Sequence, residues 1–231
     1  MEKIKNIIKN LIEDPRVKAG TEITVTGVST VSGMINPIAP FVIEAYRTVA
    51  SCADEIKVDR MLKGFANGKN IEMKLNELYN FVKDSDERAF LVSNLFRQTL
   101  LTQSPKVCCI YGIILSELQE NDEILDYDQL IIFNALQTAT DYEIKYFREI
   151  VKDYIDDDRY INENKINDSG ILSYRMTLEW CKNNRIFDIT SYKQSGGFDL
   201  IGEFYEVNSR SKKLAEYIDK ARQILNYEEN N

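Results

Sequence analysis

Histidine is absent from all 231 residues of the chain, and that removes several chemistries together. Without imidazole there is no Ser-His-Asp or Cys-His arrangement, no HExxH zinc protease and no histidine-based metal cluster. Carboxylate, lysine and tyrosine chemistry remain. Cysteine is scarce: Cys52, Cys108, Cys109 and Cys181 are the four present. The adjacent pair is not a CxxC, and no second close pair completes a zinc site, so the expectation is reduced, mostly buried thiols in a cytoplasm. Phosphate-binding loops are missing as well. The stretches "KGFANGK" and "QSGGF" fit neither GxxxxGK[ST] nor GxGxxG, and their glycines read as helix stops and turns. The basic residues 1–9 lack the apolar region and cleavage site of a secretory signal, so none is expected.

Long apolar runs are also in short supply. Residues 23–43 form a charge-free stretch of 21 residues in a chain that is 29% charged. A bilayer span needs about 20 predominantly apolar residues. Here Thr24, Thr26, Ser29, Thr30, Ser32 and Asn36 interrupt the apolar ones, and Pro37 and Pro40 break the helix. The run therefore reads as a small-residue segment, 23–33, covered by its own bundle or by a partner, followed by a helix entrance, 34–43. Conditional membrane insertion and a true span are the alternatives.

What is present points to a mainly α protein. "KIKNIIKNLIED" places Ile4, Ile7, Ile8, Leu11 and Ile12 at helical spacing, with Lys3, Lys5 and Lys9 largely elsewhere. Pro40 opens a long helix whose apolar stripe is Val42, Tyr46, Val49, Ala53, Ile56 and Phe65, stopped at Asn67-Gly68. A helix follows over 71–82, and Asp84 with Glu87 forms a capping box ahead of "RAFLVSNLFRQTLL". Ser104-Pro105 opens "KVCCIYGIILSELQE", apolar on nearly every side and hence the central helix of a bundle. Asp126 or Asp128 starts "QLIIFNALQ", and Thr140 with Glu143 caps a helix through about Tyr154. The polar loop "DDDRYINENKINDSG" is next, then the helix "ILSYRMTLEWCKNN", the strands "RIFDI" and "FDLIGEFYEV", and a closing helix from Ser209.

Charge divides the chain. Residues 1–120 carry 15 acidic and 15 basic side chains, and residues 121–231 carry 22 and 14, so the whole surplus of −8 lies in the second part. That opposes nonspecific DNA binding, which neutralises phosphates with Lys and Arg. The acidic loop "DDDRYINENKIND" has no glycine at the sixth or glutamate at the twelfth position from any of its three leading aspartates, so it reads as solvated loop rather than calcium site.

From about Leu125 onward the element order resembles a winged helix, with "FYEVNSRSKKLAEYI" similar to the strand-to-helix exit of bacterial winged-helix modules. The resemblance implies a recognition helix over 171–184 and Arg175, Lys182 and Lys193 as possible nucleic-acid contacts. A helical wheel sets Arg175, Glu179 and Lys182 on one polar arc, where Glu179 neutralises both cations. Arg210, Lys212 and Lys213 would add a modest basic edge. Residues 104–137, with the acidic "QENDEILDYDQ", resemble a TerB-like helical bundle. That resemblance implies Glu120, Asp122, Glu123, Asp126 and Asp128 as ligands of a hard cation, whereas attraction of acids to a helix N-terminus accounts for Asp126 and Asp128 without one.

The fold class expected is thus mainly α: an N-terminal helical bundle, 1–124, followed by a small α+β winged-helix-like module, 125–231, with one β-hairpin, or one compact domain. No cofactor, metal site or catalytic centre is expected. The leading expectation is a non-catalytic interaction or regulatory protein, a cytoplasmic bacterial or phage accessory acting by protein-protein contact or as a homo-oligomer. The first alternative is a membrane-associated effector of the abortive-infection or toxin type, a phage-defence role, using residues 3–43. The second is a winged-helix DNA-binding regulator. Candidate partner or membrane contacts are Ile4, Ile8, Leu11, Val25, Val28, Val31 and Met34.

Overall fold

The computed structural model describes residues 52–83, 85–155, 160–162, 171–191 and 203–229. Among them are eight helices and three short strands: α1 (Cys52–Ala66), α2 (Ile71–Val82), α3 (Asp86–Leu101), α4 (Pro105–Asn121), α5 (Tyr127–Leu136), α6 (Asp141–Ile155), β1 (Tyr160–Asn162), α7 (Leu172–Asn183), β2 (Asp188–Ser191), β3 (Glu203–Glu206) and α8 (Ser209–Glu229). The protein is mainly α, with a small antiparallel β element. It divides into two compact units, Met1–Ile124 with Ile224–Asn231, and Leu125–Gln223.

Local chemistry sets the helix ends in the first unit. Helix α1 stops where Asn67 and Gly68 take positive φ values of 46 and 77°, a turn that glycine enters without strain. Asn70 caps α2 by accepting from the Met73 N–H. Ser104 caps α4 by accepting from Val107 at 3.1 Å, with Pro105 at the first turn. The expected Asp84–Glu87 box is not the cap of α3. Ser85 occupies that position in an extended conformation, and its hydroxyl accepts from the Arg88 N–H at 3.3 Å.

Helix α4 is the core of this unit, buried at every position from Val107 through Ser116. Its closest neighbour is α1, and the reason is a pair of glycines. A Cβ on Gly112 would lie 2.0 Å from the Met61 carbonyl oxygen, and one on Gly64 would lie 2.1 Å from the Cys109 carbonyl oxygen. The two backbones therefore touch, which no larger residue permits. Gly64 is accordingly a helix-crossing residue, not the helix stop or turn expected of "KGFANGK". Ile56 departs from expectation too: it is 43% exposed, and the buried stripe of α1 runs through Val58, Met61 and Phe65. Ile56 shares its face with Asp59, Arg60 and Lys63, one and two turns on.

The second unit has an aromatic core. The Phe147 and Phe187 rings stack with centroids 5.8 Å apart, Trp180 meets Phe147 edge-on at 6.4 Å, and Tyr205 meets Phe187 at 6.3 Å. Strands β2 and β3 pair antiparallel, with Ile189 opposite Tyr205. A third strand, β1, pairs with the other edge of β3 and sets Ile161 opposite the same Tyr205, giving the order β1-β3-β2. This strand corrects the reading of "DDDRYINENKINDSG" as loop throughout. Its Ile161 is fully buried, and a three-residue strand with one buried apolar residue leaves too short an alternation to mark a strand.

Candidate functional site

Helix α7 is held by its inner face and presents the other. Thr177, Leu178, Trp180 and Cys181 are buried. The Trp180 indole N–H donates to the Thr138 hydroxyl at 3.2 Å, and the Tyr174 hydroxyl donates to the Glu149 carboxylate at 3.3 Å. Burial pushes the Cys181 thiol well above its usual range, with Glu143 nearby adding to the effect, so this sulfur is a packing group rather than a nucleophile.

The outer face is amphipathic in an unusual direction, for its first two turns carry exposed apolar side chains. Leu172 is 67% exposed, Met176 57% and the N-cap residue Ile171 42%. At 100 degrees per residue Leu172, Met176, Glu179 and Asn183 fall within about 60 degrees of arc. Ile171 makes no side-chain cap bond to the helix. Of the possible nucleic-acid contacts, Arg175 is exposed and Lys182 half-buried on this helix, beside exposed Glu179. Lys193 lies outside the described residues, so the structure brings together two of the three.

The basic edge expected around α8 is largely engaged within its own unit. Arg210 reaches both Asp188 on β2 and Asp128 on α5, the latter at 3.5 Å. Ser209 donates to Asp128 at 2.5 Å and Asn208 to Asp188 at 2.9 Å. Lys213 lies over the Tyr217 ring, 5.8 Å from its centroid. These contacts tie strand β2 and helix α5 to the start of α8. They leave Arg210 committed to two carboxylates rather than to a phosphate.

The acidic cluster between α4 and α5 is dispersed in the same way. Glu120 accepts from Lys69 at 2.8 Å, from Lys74 at 3.0 Å and from the Ser116 hydroxyl at 3.2 Å. Its hydrogen bonds from Lys69 and then Lys74 hold its carboxyl down at about 2. Asp122 pairs with Arg88 at 2.6 Å, Asp126 forms a reciprocal capping box with Gln129, and Asp128 is taken by Ser209 and Arg210. Glu123 is exposed. Among the described residues no three His, Cys, Asp or Glu side chains converge as a metal site would require.

Lys74 is the polar group that no sequence pattern indicated. Its side chain is fully buried, the ammonium donates to Gln119 at 2.5 Å and to Glu120, and it lies 5.1 Å from the centre of the Phe65 ring. A buried charge needs such partners. The cluster clamps α2 to the end of α4.

No family model, curated protein or solved structure matches the chain. Cys108, Cys109 and Cys181 are buried. Among the described residues no helix is long and apolar enough to cross a membrane. The candidate contacts Ile4, Ile8, Leu11, Val25, Val28, Val31 and Met34 lie outside the described residues.

Proposed function

We propose that the chain is a non-catalytic interaction protein, a bacterial or phage accessory that works by protein-protein contact through the outer face of α7. The observation that carries this reading is the exposure of Leu172 and Met176, with Ile171, on consecutive turns of a helix whose other face is locked in an aromatic core. Exposed apolar side chains grouped on one rigid face favour burial against a partner, whereas solitary ones carry no such meaning. Three helices, the last preceded by a short strand, then β2, β3 and a closing helix, support reading the second unit as winged-helix-like. In that reading α7 is the presented helix, and it is used for protein rather than DNA. Glu179 beside Arg175, and Arg210 bound to Asp128 and Asp188, favour that choice.

Leu172→Asp combined with Met176→Asp tests the reading. The pair is expected to leave the thermal midpoint within about 2 °C, because exposed substitutions cost little stability. It should also abolish any larger complex that the tagged wild-type chain forms in extract of its own cells, read by size-exclusion chromatography. A complex of unchanged size and yield would overturn the assignment of this face. DNA retardation that weakens with salt and is lost on changing Arg175, Lys182 and Lys193 to Glu would favour the DNA-binding regulator instead.

A further inference from the structure

We draw no further inference here: the strongest candidate, the exposed surface patch of Tyr127 and Leu130 on helix α5 beside Asp126, is an unpartnered apolar face, and nothing in the structure shows what covers it.

Discussion

The two compact units close their cores by different means. In the first, a helix buried at every position from Val107 through Ser116 is approached so closely that two glycines place backbone on backbone, and the surrounding side chains are mostly aliphatic. In the second, four aromatic rings fill the space between helices and a three-stranded sheet, and carboxylate-arginine ties fasten the sheet to α5 and α8. The first core depends on the absence of side-chain volume, the second on its presence. Substitutions should therefore hurt them in opposite directions: added methyl groups in the first, removed rings in the second.

The largest effect is expected from Phe147→Ala, which removes the ring shared by Phe187 and Trp180. Deleting a buried aromatic costs about 3–5 kcal/mol, and denaturant unfolding followed by fluorescence of Trp180, the chain's single tryptophan, reads it. A loss under about 1 kcal/mol would mean that the aromatic cluster is not what holds this unit. Gly112→Ala comes next. Its Cβ would meet the backbone of Met61 and Phe65, so α1 and α4 must separate, at about 3 kcal/mol, the upper end of the overpacking range. An unchanged denaturation midpoint by far-ultraviolet circular dichroism would contradict the close crossing.

Charge gives a smaller and asymmetric effect in the first unit. Glu120→Ala strips Lys74 of one carboxylate while Gln119 and Glu77 remain, so a loss of roughly 1–2 kcal/mol is expected, below that of a pair sealed from solvent. Lys74→Met removes the buried charge itself and should fall within about 1 kcal/mol of neutral. Equal losses would show that the ion pair, not the desolvated ammonium, sets the cost. The carboxyl of Glu120 sits at about 2 in the folded chain against an ordinary 4.5. A depressed value stabilises the fold fully above the ordinary one, and that stabilisation is lost as pH falls toward the folded one. Wild type should thus lose more stability than Glu120→Gln between pH 5 and pH 2. Parallel curves would remove Glu120 from the account.

How much of this was legible in the sequence depends on the reach of the interaction. Ser104-Pro105 and the stop at Asn67-Gly68 are contacts within four residues, readable from their own neighbourhood, whereas the start of α5 was narrowed to Asp126 or Asp128 and the structure selects Asp126 with Gln129. The burial of "VCCIYGIIL" followed from its lack of a polar face. Gly64 against Cys109, Lys74 against Gln119 and Ile161 against Tyr205 join residues 40 or more positions apart, and no local pattern announces them. The exposure of Ile56 had the same origin, because the stripe through Met61 and Phe65 was chosen by α4. At the candidate site the wheel located Arg175, Glu179 and Lys182 on the outer arc of α7. Leu172 and Met176 lie on the adjoining arc, where apolar residues are assigned to the core by default. An apolar pair spaced by four and in line with Glu179 and Asn183 was the available signal.

In the second unit a helix anchored in the aromatic core carries Leu172 and Met176 outward on consecutive turns. That claim is tested most directly by a photoreactive amino acid placed at position 176, compared with the same group at position 152, an exposed lysine on α6, in the chain's own cells. The account predicts a discrete protein adduct from position 176 that is absent from position 152 and disappears when Leu172→Asp is added. No adduct from position 176, or equal adducts from both positions, would contradict it.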